Sequence, residues 1–205
     1  MEIKKLARNA LDFSINRIIE IIGLSIVIIS VLLLISLFSF SPDDPNFIFP
    51  ENTEIKNFLG FRGSFTADLF FQSLGLIALL IPFSFILTGI NIIFNKKIFF
   101  IIESFFYTIF YSIFGSLFFS TFYPNAFNFY INGNGGFVGK YLETSFLNTI
   151  IAVNLQISYY LLIIIILVLF LISIQFRTKS FYIFVKKFFT FLFRKKKRNY
   201  TNQNE

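Results

Sequence analysis

Cysteine, histidine and tryptophan are absent from the 205-residue chain. With neither thiol nor imidazole, disulfide staples, cysteine or histidine catalysis and nearly every dedicated transition-metal site are excluded, and no cofactor is expected. Carboxylate, lysine, tyrosine and serine chemistry stay open. Charged side chains are scarce as well, 14% of the residues against 56% hydrophobic, and the apolar residues run in long blocks. A water-soluble core alternates apolar with polar positions and is not built that way. Phenylalanine, isoleucine, asparagine and lysine abound, as in an AT-rich coding sequence, so single aromatic positions are given no functional weight.

Four apolar blocks follow one another, at residues 18–40, 69–94, 98–122 and 157–176. About 20 such residues cross a bilayer core of about 30 Å as a helix. The first block exceeds the apolar core of a signal peptide and ends without a small-residue cleavage site, so it is expected to be retained. The predicted fold is therefore all-α: an integral membrane bundle of four transmembrane helices. A short periplasmic interfacial helix and a C-terminal basic amphipathic helix complete it.

Residues 1–17 form a basic segment before the first span, with Lys4, Lys5, Arg8 and Arg17, and Glu20 is expected at headgroup level near Arg17. Ser41-Pro42-Asp43-Asp44-Pro45 ends that span, because two prolines bracketing two carboxylates force a turning backbone. The outer loop then runs to Gly63, with Ser64 or Thr66 as candidate caps of the second helix. Asp68 is placed near the start of that helix, where the helix dipole favours an acid and Arg62 is available as a partner.

Asp68, Gln72, Gly75, Leu79, Pro82, Ile86 and Gly89 are spaced by fours and threes and so share one helix face, a small or polar seam that lets a neighbouring backbone approach. Pro82 is expected to kink the span. Asn95-Lys96-Lys97 makes a tight basic turn into the third span, where Ser104, Thr108, Ser112, Ser116 and Ser120 recur every fourth residue beside Gly115. That ridge predicts a packing groove, and a hydroxyl-lined conduit is the sharper alternative. Glu103 is read either as paired with Lys96 or Lys97 or as a functional intramembrane acid.

The glycines of Asn132-Gly133-Asn134-Gly135-Gly136 rule out regular structure there. Residues 140–151, too short and polar to span, are placed flat on the outer membrane surface. After the fourth span, residues 181–193 pattern as an aromatic amphipathic helix with Lys186 and Lys187 on one side. Arg194, Lys195, Lys196, Lys197 and Arg198 follow it, a cluster suited to an anionic cytoplasmic leaflet, with nucleic acid as the rival partner. All but three of the 18 cations, the exceptions being Lys56, Arg62 and Lys140, lie at the two ends or in the central turn. Both termini are accordingly expected in the cytoplasm.

Taken together, these motifs resemble the N-terminal four-span membrane domain of the FtsK/SpoIIIE DNA translocases. The likeness rests on Ser39-Phe40-Ser41-Pro42-Asp43-Asp44-Pro45 and on Asn57-x-x-Gly60-x-x-Gly63 followed by Ala67-Asp68-Leu69. It continues through Gln72-x-x-Gly75, Pro82 and Gly135-Gly136-x-x-Gly139, and covers residues 37–176. The resemblance implies a multi-pass domain of the bacterial inner membrane at the division septum. It also implies a homo-oligomer, hexameric in the family, that engages other division proteins. DNA and ATP are expected as partners only through a motor domain, since no Gly-x-x-x-x-Gly-Lys-Ser/Thr loop occurs in the sequence. The chain is thus expected to be a fragment, one half of a split translocase or a stand-alone relative, and not itself an enzyme.

The leading expectation is a non-catalytic membrane anchor and assembly domain of a septal DNA translocase, serving cell division and chromosome segregation. A small transporter or channel subunit using the Ser/Thr ridge with Glu20 and Glu103 is the alternative. A lipid-processing enzyme ranks below both, for want of converging catalytic groups.

Overall fold

In the computed structural model the described residues are 2–45, 54–124, 131–176 and Lys186, and among them no strand occurs. Helices α1 (Glu2–Phe38), α2 (Gly60–Leu74), α3 (Leu80–Asn95), α4 (Phe100–Phe122), α5 (Gly136–Glu143), α6 (Phe146–Val153) and α7 (Leu155–Ser173) follow in order, with a 3₁₀ turn at Gly75–Leu79. Four segments are long and apolar enough to cross a membrane: Arg8–Phe38, Gly60–Asn95, Phe100–Phe122 and Leu155–Ser173. The fold is an all-helical, multi-pass membrane bundle.

Side-chain pairing fixes the sense of the helices. Glu20, at the midpoint of α1 where its apolar block begins, meets Lys96, just past α3. Asn91 near the end of α3 donates to the Ile174 carbonyl past α7, and Gln175 donates to the carbonyl of Phe100 at the start of α4. Within residues 1–175 the start of the apolar half of α1, the start of α4 and the ends of α3 and α7 therefore share one end of the bundle. This arrangement follows from an even number of crossings.

Helix α1 is continuous from Glu2 across both the basic segment and the first apolar block, because nothing between them breaks a helix. Its 37 residues amount to about 55 Å, well beyond a bilayer core of about 30 Å. The second span differs most from its sequence pattern. It begins at Gly60, nine residues before its uncharged run, and it is broken between Leu74 and Leu80.

An unbroken helix over the 36 residues Gly60–Asn95 would also be nearly twice as long as the bilayer core. The break does not sit where proline was expected to put it. Pro82 is the third residue of α3, in the first turn, where backbone N–H groups have no partner inside the helix in any case. Gly75 makes the break, at φ 72° and ψ −151°, a conformation essentially restricted to glycine. The seam read from Asp68 to Gly89 is accordingly split between two helices, although Asp68, Gly75, Pro82 and Gly89 are each buried.

The outer segment divides too. In place of one surface helix over residues 140–151 there are α5 and α6, separated where Ser145 turns out of the helix and caps α6 by accepting from the Leu147 N–H. Asn154 repeats the device for α7, accepting from Ile157 N–H at 3.0 Å. A core of Leu37, Ala67, Phe71, Ile77, Ala78, Ile81 and Tyr111 joins α1 to α4, and Leu117, Phe118, Ile151 and Leu162 form a second cluster against α6 and α7.

Residues 176–205 form a separate unit. Within it, Lys186 is helical and exposed. The basic positions Lys187, Arg194, Lys195, Lys196, Lys197 and Arg198, with most of the amphipathic stretch, lie outside the described residues.

Candidate functional site

The motif residues gather at three places, all of them seams between elements. At the first, the loop after α1 folds over the beginning of α2. Asp44, only 2% exposed, accepts the backbone N–H groups of Lys56 (2.8 Å) and Asn57 (2.9 Å) with its two oxygens. Buried Asn57 then donates to the Ser36 carbonyl at 2.9 Å and accepts from Leu59 N–H, tying the end of α1 to the helix that follows. Ser36 Oγ closes the ring by donating to Gly63 O at 2.6 Å.

Gly63 is glycine because a Cβ there would stand 2.1 Å from Asn57 Oδ1. Of the two adjacent acids, Asp43 is the outer one. It pairs with Lys56 at 2.9 Å in solvent, and that hydrogen bond holds the Lys56 ammonium above the ordinary lysine range. Pro45 contributes its carbonyl, which accepts from Ser64 Oγ. Ser64 and Thr66 are thus not caps, for Thr66 donates back to the Arg62 carbonyl within the helix. Asp68 lies two turns into α2, beyond reach of a capping role, and accepts from Gln72. Gly60, at φ 64°, provides the left-handed residue on which α2 starts.

The second seam docks the loop at 131–135 into the break in the second span. Leu76 N–H donates to the Asn134 carbonyl at 2.9 Å, so the loop supplies a hydrogen bond that the interrupted helix lacks. Asn132 reaches the backbone carbonyl of Gln72, and its own N–H points at the Gln72 side chain. Four motif glycines sit at backbone-to-backbone distance here. A Cβ on Gly136 would stand 2.5 Å from Gly75 N, and on Gly135 or Gly139 it would stand 2.4 or 2.3 Å from the Ser116 carbonyl. Motifs far apart in sequence thus interlock. Asn134 itself is fully buried, with its amide donating to the Tyr123 carbonyl.

The third seam is the hydroxyl ridge of α4. Ser104, Thr108, Ser112, Ser116 and Ser120 are all buried. Ser104 accepts from Thr88 of α3 at 2.8 Å, Ser116 donates to the Leu74 carbonyl at 2.8 Å, and Ser120 donates to Glu143 of α5 at 2.7 Å. Beside the ridge, Ser84 bonds both Tyr111 (2.9 Å) and Ser173 (3.0 Å), linking α3, α4 and α7 through one oxygen. Gly115 lets Ile77 lie against the α4 backbone. Ser84, Ser104, Ser116 and Ser120 thus bond to neighbouring helices, whereas the hydroxyls of Thr108 and Ser112 are buried without a hydrogen-bond partner among the described residues.

Glu20 bridges Arg17 and Lys96, a link between α1 and the basic turn that the sequence pattern had placed only within α1. One turn deeper, Gly23 and Gly89 bring α1 and α3 together, a Cβ on Gly89 standing 2.7 Å from the Gly23 carbonyl. Glu103 occupies the first turn of α4, a position the helix dipole favours for an acid. Among the described residues no three Asp, Glu, His or Cys side chains gather as metal ligands. Asp44, Asn57, Asn134, Ser36, Ser84 and Tyr111, to which the sequence pattern gave no role of their own, are all buried. Three of them stand inside the motifs, and only burial distinguishes them from their neighbours.

A family model described as the 4TM region of DNA translocase FtsK/SpoIIIE matches residues 16–186. No curated protein and no solved structure matches the chain.

Proposed function

The chain belongs to the FtsK/SpoIIIE four-transmembrane family, and on that premise we propose that it is the membrane anchor and assembly platform of a DNA translocase working at the division septum during chromosome segregation. The region matched is a membrane domain without catalytic machinery of its own. What supports the anchoring reading is the use made of the polar motif residues. They tie α1 to α2, α2 to the loop before α5, and α4 to α3 and α5, and among the described residues they do not converge on a shared reaction centre.

In this reading the domain assembles with copies of itself, as a hexamer if it follows the family, and meets division proteins at its loop end. DNA and ATP are handled by a motor domain outside these residues. The termini face the cytoplasm of the inner membrane, in keeping with the concentration of cations at the two ends and the turn. Lys186, Lys187 and the run from Arg194 to Arg198 hold the C-terminal segment to anionic lipid. Asp43, exposed on the loop, is the motif residue best placed to meet a partner.

Fusing a fluorescent protein to the chain and imaging dividing cells of its own host tests this directly. Accumulation at the division site supports the proposal. A uniform membrane signal through the whole division cycle contradicts it.

A further inference from the structure

Between α1 and α2 a groove of about 350 Å³ opens on the outside of the bundle, lined by Ile29, Leu32, Leu33, Leu59, Phe70 and, at its rim, Arg62. Ile29 and Leu32 remain 65% and 45% exposed, and both belong to a segment that crosses the membrane, so the groove faces lipid. Its polar lining is largely committed elsewhere. Ser36 and Thr66 direct their hydroxyl protons to Gly63 O and Arg62 O. Arg62 is different: it is exposed and makes no ion pair among the described residues, whereas nearby Lys56 is neutralised by Asp43. One unspent guanidinium thus stands above an apolar channel that descends α1 from the level of Ser36 to Ile29, about 10 Å at helical rise.

We propose that this groove is a binding site for one glycerophospholipid of the leaflet at the loop end, its phosphodiester held by Arg62 and one acyl chain lying along Ile29, Leu32 and Leu33. Charge and shape both select this occupant. A guanidinium pairs with phosphate oxygens through two parallel N–H donors. The channel below offers hydrocarbon contact and no free hydrogen-bond donor, which suits an acyl chain and not a polar one. Bound there, the lipid fills the space between α1 and the upper part of α2, and makes the packing of that corner depend on the surrounding leaflet.

The test uses the full chain, purified in mild detergent, exchanged against palmitoyl-oleoyl-phosphatidylglycerol and examined by native mass spectrometry. One lipid retained per chain after delipidation is expected. Arg62→Gln and the groove-filling Leu32→Trp should each lower its occupancy at least fivefold, and Arg62→Lys should restore part of it. Circular dichroism of each variant checks that its helices remain intact. Unchanged retention in Arg62→Gln overturns the proposal, as does displacement of the lipid by millimolar inorganic phosphate. So does near-complete disulfide dimerisation of a Leu32→Cys chain in phosphatidylglycerol vesicles, which would assign the groove to a second copy.

Discussion

A side chain on Gly75 would place its Cβ 1.9 Å from the carbonyl oxygen of Asn134. Two residues separated by most of two spans are therefore in backbone contact, at the point where the second span breaks and an outer loop fills the gap. The glycine is needed twice over, for this approach and for its own backbone angles.

Replacing Gly75 by alanine should destabilise the domain by about 3 kcal/mol or more, since backbone strain alone contributes about 1–3 kcal/mol and the clash with Asn134 adds to it. Gly60→Ala is the control. Gly60 shares the positive φ, but among the described residues no atom beyond its own stretch of chain lies within 4 Å of the place a methyl group would occupy there, so it should lose only about 1–2 kcal/mol. Thermal melting of helical ellipticity in detergent compares the two, and equal losses would contradict the docking of the loop.

Asn57→Ala should release the loop from the ends of α1 and α2. It strands a buried carbonyl and an N–H at an expected cost of about 2–3 kcal/mol. Asp43→Ala removes a solvent-exposed pair with Lys56, worth about 0–1 kcal/mol, and should cost clearly less than Asn57→Ala. Limited proteolysis of the loop reads the difference: cleavage should accelerate more in the first variant than in the second.

The bond between Ser84 and Ser173 ties α7 to α3. A double-mutant cycle with Ser84→Ala and Ser173→Ala should return a coupling of about 0.6 kcal/mol, and no more than about 1.7 kcal/mol, the range for hydrogen bonds between membrane helices. A coupling of zero would mean that this hydrogen bond contributes nothing to holding α7 against α3.

How far the sequence disclosed this arrangement depends on the kind of signal. Uncharged runs announce spans because the bilayer penalises every unpaired charge, and the fourfold spacing of Ser104, Thr108, Ser112 and Ser116 marks one helix face whatever packs on it. Breaks are harder to read. Pro82 is the conspicuous helix breaker, yet a proline in a first turn is harmless, and the glycine that does break the span becomes recognisable only once Asn134 is seen against it. The adjacent acids Asp43 and Asp44 have the same chemistry and the same proline neighbours. Which of them turns inward is decided by the distant N–H groups of Lys56 and Asn57, information that no local pattern contains. Glu20 illustrates the same limit, its second partner Lys96 lying in the turn after α3.

The proposed orientation is tested most directly by single cysteines introduced into this cysteine-free chain and labelled with a membrane-impermeant maleimide in intact spheroplasts. Cysteines at Glu54 and Lys140 should react from outside, and those at Lys5 and Lys97 only after the membrane is opened. Labelling of position 97 from the same face as position 140 would contradict four crossings with the basic turn inside.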